Sequence, residues 1–321
     1  MNKIKEWIWH LPFIERVVNR SKRTSLIGFD GLPIYTVLEF FFNEIKKEHL
    51  NTKSTSLAFS FFLAIFPATI FLFTLIPYIP INNFQDQLLS ILGQVLPANA
   101  YEAVQTTLTD IIKNQNGGLL TFGFIAALFF SSNGIMALMR SFNKVSLLQD
   151  HRPAWKKRRT AIFLTFTISI MLIVGVSLIV AGNYIINLLE QYEFIKGAFT
   201  KYSLQLLNWI IILLLFFSII STLYYFAPAS TKKFKFISAG SSLATFLSIA
   251  TSSGFAFYVN NFNSYNKIYG SIGTLIVIMI WLYLNSMILL IGFELNASIK
   301  ILKQNLPPAP KKRVGNRLRE Q

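Results

Sequence analysis

With 321 residues, 53% of them hydrophobic and only 14% charged, the chain falls well short of the charge of a soluble domain, where about 25% is usual. A polytopic membrane protein is therefore the expected class. A formal charge of +16 would suggest nucleic acid in a soluble protein, but a membrane chain keeps such an excess of Lys and Arg on its cytoplasmic loops. Cysteine is absent and the histidines are only His10, His49 and His151, which removes disulfides, thiolate nucleophiles and Cys-ligated metals.

Residues 1–52 form a cytoplasmic, amphipathic N-terminal segment. Its opening, MNKIKEWIWHLPFIERVVNR, is broken by charges and lacks the long apolar stretch of a cleavable signal. Ile4, Trp7, Ile8, Leu11 and Ile14 recur at helical spacing between basic residues. Such a helix lies in the membrane interface or packs on the ends of the bundle; the pattern leaves both open. Leu32–Glu48 reads as a second short helix.

An all-α fold with six transmembrane helices is expected over 53–302. The spans fall at about 56–79, 118–139, 161–188, 204–226, 236–259 and 271–299. The first contains Pro67, which removes one backbone hydrogen bond and kinks the axis. Residues 81–116 hold Asp86, Glu102 and Asp110, and their amphipathic patches predict short helices in this first outer loop. The second span contains Ser131–Gly134 and ends in Arg140. The third follows the basic loop RSFNKVSLLQDHRPAWKKRR. Pro228 closes the fourth, Gly240 and Ala244 mark the fifth, and the sixth runs uncharged from Ser271 to Phe293. That is 23 residues, where ~20 suffice to cross the bilayer core. The tail, 303–321, is basic, Pro-rich and expected to be disordered.

Counting cations tests this layout. Residues 1–53, 140–159, 232–235 and 300–321 together hold 26 Lys and Arg, while the opposite side holds 4: Lys113, Lys196, Lys201 and Lys267. That asymmetry predicts six crossings with both termini in the cytoplasm.

Few polar residues fall within the spans. Glu294, near the end of the sixth, needs a partner or a wet cavity, because a charge costs ~2.5–3.5 kcal/mol at the bilayer centre and less near the ends. Arg140 ends the second span at similar depth and is the expected partner, either as a structural pin or as a gate. Asn133, Asn143, Asn285 and Asn296 add amides. Singly they read as interhelical glue worth ~0.6 kcal/mol each; with Arg140 and Glu294 they outline a candidate substrate path. Trp281, near mid-span, fills the core or walls a cavity. Gly270 and Gly273 read as packing positions and Pro67 as a kink or hinge. Lys156, Lys157, Arg158 and Arg159 are expected to meet anionic lipid head groups. Base stacking would need aromatics in a basic groove, and only Trp155 adjoins this run, so no nucleic-acid partner is expected. No HExxH, GxSxG, Walker loop or clustered metal ligands occur. The expectation is therefore no catalytic residues, no metal, no cofactor and no enzyme activity. A protein partner and homo-oligomerisation stay open.

TSLAFSFFLAIFPATIFL (55–72), SSNGIMALMRSFNKV (131–145), RPAWKKRR (152–159), LYYFAPAS (223–230) and above all YVNNFNSYNKIYGSIGTLIVIMIWLYLNSMILLIGFELNAS (258–298) resemble the YihY/BrkB family of bacterial inner-membrane proteins. The resemblance covers about 30–300 and implies six helices with cytoplasmic termini. Pro67, Asn133, Arg140, Asn143, Pro228, Tyr269, Gly270, Trp281, Tyr283, Gly292, Glu294 and Asn296 stand at its motif positions. Members of the family have been labelled ribonuclease BN, virulence-associated factors and transporters. RNA hydrolysis needs metal ligands or a positioned acid–base pair, which the sequence does not offer. The resemblance instead implies transport of a lipid or lipid-linked amphiphile; the polar residues themselves suggest its route, a furrow between spans two and six where Arg140 would attract an anionic head group. A non-transporting scaffold that recruits a partner at its basic face is the alternative.

Overall fold

The computed structural model describes residues 12–26, 28–47, 49–78, 85–86, 89, 98–143, 150–190, 198–229, 233–261 and 264–305. Residues 1–11, the patch LLSILGQVL (88–96) except Leu89, and the tail from 306, for which the sequence predicts an amphipathic start, a short outer helix and disorder, lie outside them.

Among the described residues the regular structure is helical. The helices are α1 (Pro12–Ser21), α2 (Ile34–Lys47), α3 (Leu50–Leu75, continued by a 3-10 turn, Ile76–Tyr78), α4 (Ala98–Lys113), α5 (Gly117–Asn143), α6 (Ala154–Glu190), α7 (Ala198–Phe226), α8 (Ala239–Asn261) and α9 (Ser264–Asn305). Among the described residues, five segments are long and apolar enough to cross a membrane: Leu50–Tyr78, Gly117–Asn143, Ala154–Ile179, Leu206–Phe226 and Leu275–Asn305. They match five of the six expected spans. The remaining one is a helix as well, α8, and carries no formal charge. Ser241, Ser242, Thr245, Ser248, Thr251, Ser252 and Ser253 dilute its apolar character, however, and it falls outside the five.

Local chemistry sets several helix ends. Asn116 Oδ1 accepts the Leu119 N–H at 2.9 Å and caps α5. Pro153, which needs no N–H partner, opens α6 and accepts from Lys156 and Lys157. Pro228 stops α7 just past Phe226. Ser238 and Ser241 cap the start of α8 reciprocally, each side-chain oxygen accepting the other's N–H, at 3.2 and 3.1 Å.

By internal packing the chain divides into two units, 49–293 and 1–48 with 294–321. In the smaller unit Phe29, Leu32, Val37 and Phe41 are buried, as are Leu295, Ala297, Ile299 and Ile301 on the last turns of α9. Asp30, at φ 54 between two glycines that also have positive φ, meets Lys303 Nζ at 2.7 Å.

In the larger unit α3 and α5 form the most extensive helix pair. Two glycines on α5 explain the fit. A Cβ on Gly123 would lie 3.1 Å from the backbone of Phe71, and one on Gly134 would lie 2.7 Å from the Phe61 ring. Eleven residues is close to three helical turns, so both glycines lie on one face. Their partners run in the opposite order along α3, as an antiparallel pair requires. Helices α6, α7 and α8 follow as neighbours, α6 against α5 and α7, and α7 against α8.

The Asn143 end of the bundle is closed by aromatic rings. Phe142 on α5 stacks on Phe293 of α9 with ring centroids 4.0 Å apart and planes 15° from parallel. Tyr224 of α7 and Phe234 meet the same Phe293 edge-on. Tyr224 Oη donates to Leu289 O at 2.7 Å, tying α7 to α9. Gly292 permits this crossing, since a Cβ there would lie 2.5 Å from Tyr224 Oη, 2.7 Å from Ala244 Cβ and 2.7 Å from Gly240 O. Gly240 and Ala244, the small residues that mark the fifth expected span, are thus part of a close helix contact.

Candidate functional site: a polar node and a cationic cleft

The sequence-derived site residues have different surroundings. Asn285 donates to Trp281 O within its own helix at 2.9 Å, and Trp281 Nε1 donates to Ser252 Oγ of α8 at 3.2 Å. Trp281 therefore links two helices inside the larger unit. Arg140 is exposed at the last turn of α5. Glu294 and Asn296 belong to the smaller unit, where both are buried, at 3% and 4% exposure. Pro67 lies inside α3, and Gly270 and Gly273 lie in α9, Gly273 buried.

Asn133 and Asn143 have partners that lie far off in sequence. Asn133 Oδ1 accepts a hydrogen bond from Arg158 Nη1, across the α5–α6 interface. The same guanidinium lies 4.7 Å from the centre of the Phe129 ring and 3.5 Å from Met136 Sδ. An arginine near a helix end thus reaches back along an apolar interface and finds an amide and a ring there.

Asn143 belongs to a polar node built around Asp150. Its Nδ2 donates to Asp150 Oδ2 at 2.8 Å, while its Oδ1 accepts the Ala229 N–H at 2.9 Å. Arg152 holds the same carboxylate in a bidentate grip, Nε to Oδ1 at 2.9 Å and Nη2 to Oδ2 at 3.0 Å, and its own N–H donates to Oδ1 at 3.0 Å. Arg152 Nη2 also donates to Ala227 O, one of the carbonyls left open where α7 ends, at 2.9 Å. Lys157 Nζ donates to Asp150 O at 3.2 Å and lies 3.8 Å from Oδ2. Burial alone would raise the Asp150 pKa. The Arg152 hydrogen bonds and the charges of Arg152 and Lys157 outweigh it and hold the carboxyl below its ordinary value. One acid thus joins the ends of α5 and α7 to the start of α6.

Beside this node, between α6 and α7, lies an open cleft of about 490 Å³. Arg152, Arg159 and Lys233 supply its charge, and Phe163, Tyr225 and Phe226 supply its apolar wall; among the described residues no acid lines it. Lys233 Nζ rests 4.5 Å above the centre of the Tyr225 ring and 4.9 Å above that of Phe226. Arg159 flanks Trp155, which is 59% exposed, at 5.4 Å. Of the four cations expected at head groups, Lys157 and Arg158 are engaged within the protein. Lys156 and Arg159 flank the exposed Trp155.

Sequence reasoning counted Asp150, Arg152 and Lys233 only as loop charges. A signal did exist. Asp150 is the lone acid among seven cations over 140–159, and an acid kept in such a loop invites the question of what it binds.

The family model described as Virulence factor BrkB matches residues 41–315. A ribonuclease-like protein of Bacillus subtilis (strain 168), YfkH, is 36% identical over 246 residues, covering 77% of this chain and 88% of that protein. UPF0761 membrane proteins of Vibrio campbellii and Vibrio parahaemolyticus are 27% and 28% identical, each over 81% of both chains. No solved structure matches. Several helices are long and apolar enough to cross a membrane, and all the motif blocks in 55–298 lie inside the matched region. The chain is a membrane protein of the BrkB family, the YihY/BrkB family that its motifs resemble.

Proposed function

We propose that this protein crosses the bacterial inner membrane six times, with both termini in the cytoplasm, and conducts an anionic lipid or lipid-linked amphiphile without catalysing a covalent step. The observation that carries the reading is the cleft between α6 and α7, with cations and aromatic rings on its walls and no acid among its described lining residues. An anionic head group finds counter-charge there while its chain finds rings. An apolar groove of about 540 Å³, lined by Leu213, Leu214, Phe217, Phe246 and Ile249, runs along α7 on the side of α8 and offers room for acyl chains.

The cation count supports α8 as the sixth crossing. With five crossings, the nine cations of residues 1–53 and the seven of 300–321 would lie on opposite sides, against the usual bias. The chain has no cysteine, so single-cysteine labelling reads the topology directly. Asn114→Cys and Asn261→Cys should react with an impermeant maleimide from the periplasm, and Lys235→Cys only after permeabilisation. Equal reactivity of positions 235 and 261 would mean that α8 does not cross.

Transport is tested in proteoliposomes carrying a tail-labelled phosphatidylglycerol, by timing how fast inner-leaflet label becomes accessible to a quencher. Wild type should exchange label well above empty vesicles. Arg159→Gln with Lys233→Gln should slow exchange about tenfold, the equivalent of ~1.4 kcal/mol. Arg140→Ala and Glu294→Ala belong in the same series as the path residues drawn from sequence. If folded wild type gives no exchange, the conduit falls and the scaffold gains. Metal-dependent RNA cleavage by purified protein would revive the activity in the Bacillus relative's name.

A further inference from the structure

We propose that the α6–α7 cleft is a seat for a phosphomonoester, the dianionic head group of a lipid, in preference to the singly charged phosphodiester of an ordinary phospholipid. The inference rests on the reading of the protein as a conduit for anionic amphiphiles and narrows the class of head group.

Charge balance supplies the argument. Around the node and cleft stand four cations, Arg152, Lys157, Arg159 and Lys233, against one carboxylate, Asp150. Asp150 takes up the nearest two, Arg152 and Lys157. Arg159 and Lys233 have only aromatic partners among the described residues, Trp155 for the first and Tyr225 with Phe226 for the second. Four cations against one carboxylate leave an excess of three positive charges among the described residues, and the two cations with no carboxylate contact favour a dianion over a monoanion. A phosphomonoester supplies about −1.5 to −2 near pH 7 and presents three acceptor oxygens; a phosphodiester carries a single charge and two such oxygens.

The donors match in number and kind. Arg152 spends Nε on Asp150 and Nη2 on Asp150 and Ala227 O, which leaves Nη1 as a donor for a ligand. Its orientation is fixed by the carboxylate before any ligand arrives, so little order has to be imposed on binding. Arg159 adds a second guanidinium and Lys233 an ammonium already seated on two rings. Free phosphate would meet the same three cations. The lipid form is favoured by the opposite wall, where Phe163 is 51% and Phe226 36% exposed beside the charges and can pack against a hydrocarbon chain.

Native mass spectrometry of the full chain in detergent tests this, using dioctanoyl phosphatidic acid, dioctanoyl phosphatidylglycerol, inorganic phosphate and pyrophosphate as probes. Phosphatidic acid should bind about tenfold more tightly than phosphatidylglycerol, and the difference should vanish in Arg159→Gln with Lys233→Gln. Both side chains are exposed, so the variant should stay folded, with an unchanged elution profile as the check. Equal binding of the two lipids in wild type would overturn the dianion assignment. A preference that survives in the double variant would overturn the location. Displacement by inorganic phosphate or pyrophosphate as effective as by the lipid would make this a free-anion site and overturn the lipid part. Failure here with lipid exchange intact leaves the conduit standing. A phosphatidic acid preference without any exchange removes the conduit and leaves the site.

Discussion

Replacing Gly292 with alanine should destabilise the protein by about 2–3 kcal/mol, toward the upper end of what overpacking a filled site costs. The single added methyl would meet a hydroxyl, a methyl and a backbone carbonyl from two different helices, each at 2.7 Å or less. Tyr224 cannot simply swing aside, because its hydroxyl donates to Leu289 O and its ring packs against Phe142 and Phe293. Gly240 O belongs to the first turn of α8, so relief there means moving the helix. The measurement is thermal unfolding in detergent, followed by size-exclusion fluorescence. Gly254→Ala in α8 is the control: nothing lies within 4 Å of its Cβ position, and a helical Gly→Ala change stabilises by about 0.4–1 kcal/mol. Equal melting of Gly292→Ala and wild type would mean that α7, α8 and α9 do not meet as closely as described.

Asp150→Asn should cost about 2 kcal/mol. Breaking a fully buried ion pair costs about 3–5 kcal/mol; the lower figure applies because Arg152 keeps a quarter of its side chain in solvent while Asp150 is 9% exposed. Asparagine keeps the shape but loses the charge that Arg152 and Lys157 share, and its amide would present N–H groups to other donors. The pH dependence has a definite sign. The folded-state pKa of Asp150 is lowered, so its contribution is fully present above the unfolded value, near 4, and fades as pH falls through the lower folded value. Wild type should therefore lose stability relative to Asp150→Asn below about pH 4, and the gap between them should be constant above about pH 5. A gap that widened at neutral or alkaline pH would show that another group carries the effect. Adding Arg152→Gln to Asp150→Asn should recover part of the loss, since no uncompensated guanidinium then remains in the node.

The two substitutions act at neighbouring levels of the same end of the bundle. Gly292 and the aromatic rings set how closely α7, α8 and α9 approach. The Asp150 node then ties the ends of α5 and α7 to the start of α6. The cleft opens beside that node and shares Arg152 with it. A loosened node should accordingly weaken head-group binding even where Arg159 and Lys233 are intact.

The sequence by itself determined the class of this protein, the place of five long apolar helices and its family. Those properties depend on runs of like residues: twenty apolar side chains in a row satisfy a bilayer whatever their order, and a block such as YGSIG with GFELNA is read along one stretch. α8 shows the limit of that logic, because its serines and threonines lower the apolar signal where its length and lack of charge argue for a crossing. The partners of the polar residues were decided by tertiary structure. Arg152 meets Ala227 O across 75 residues, and Asn143 meets the Ala229 N–H across 86. Arg158, which the sequence groups with the head-group cations, donates a hydrogen bond to Asn133 of the neighbouring helix. A helix that is apolar all round carries no stripe to mark which face meets which neighbour. Contacts between such helices follow from glycine positions and ring shapes that acquire meaning only once the helices are packed.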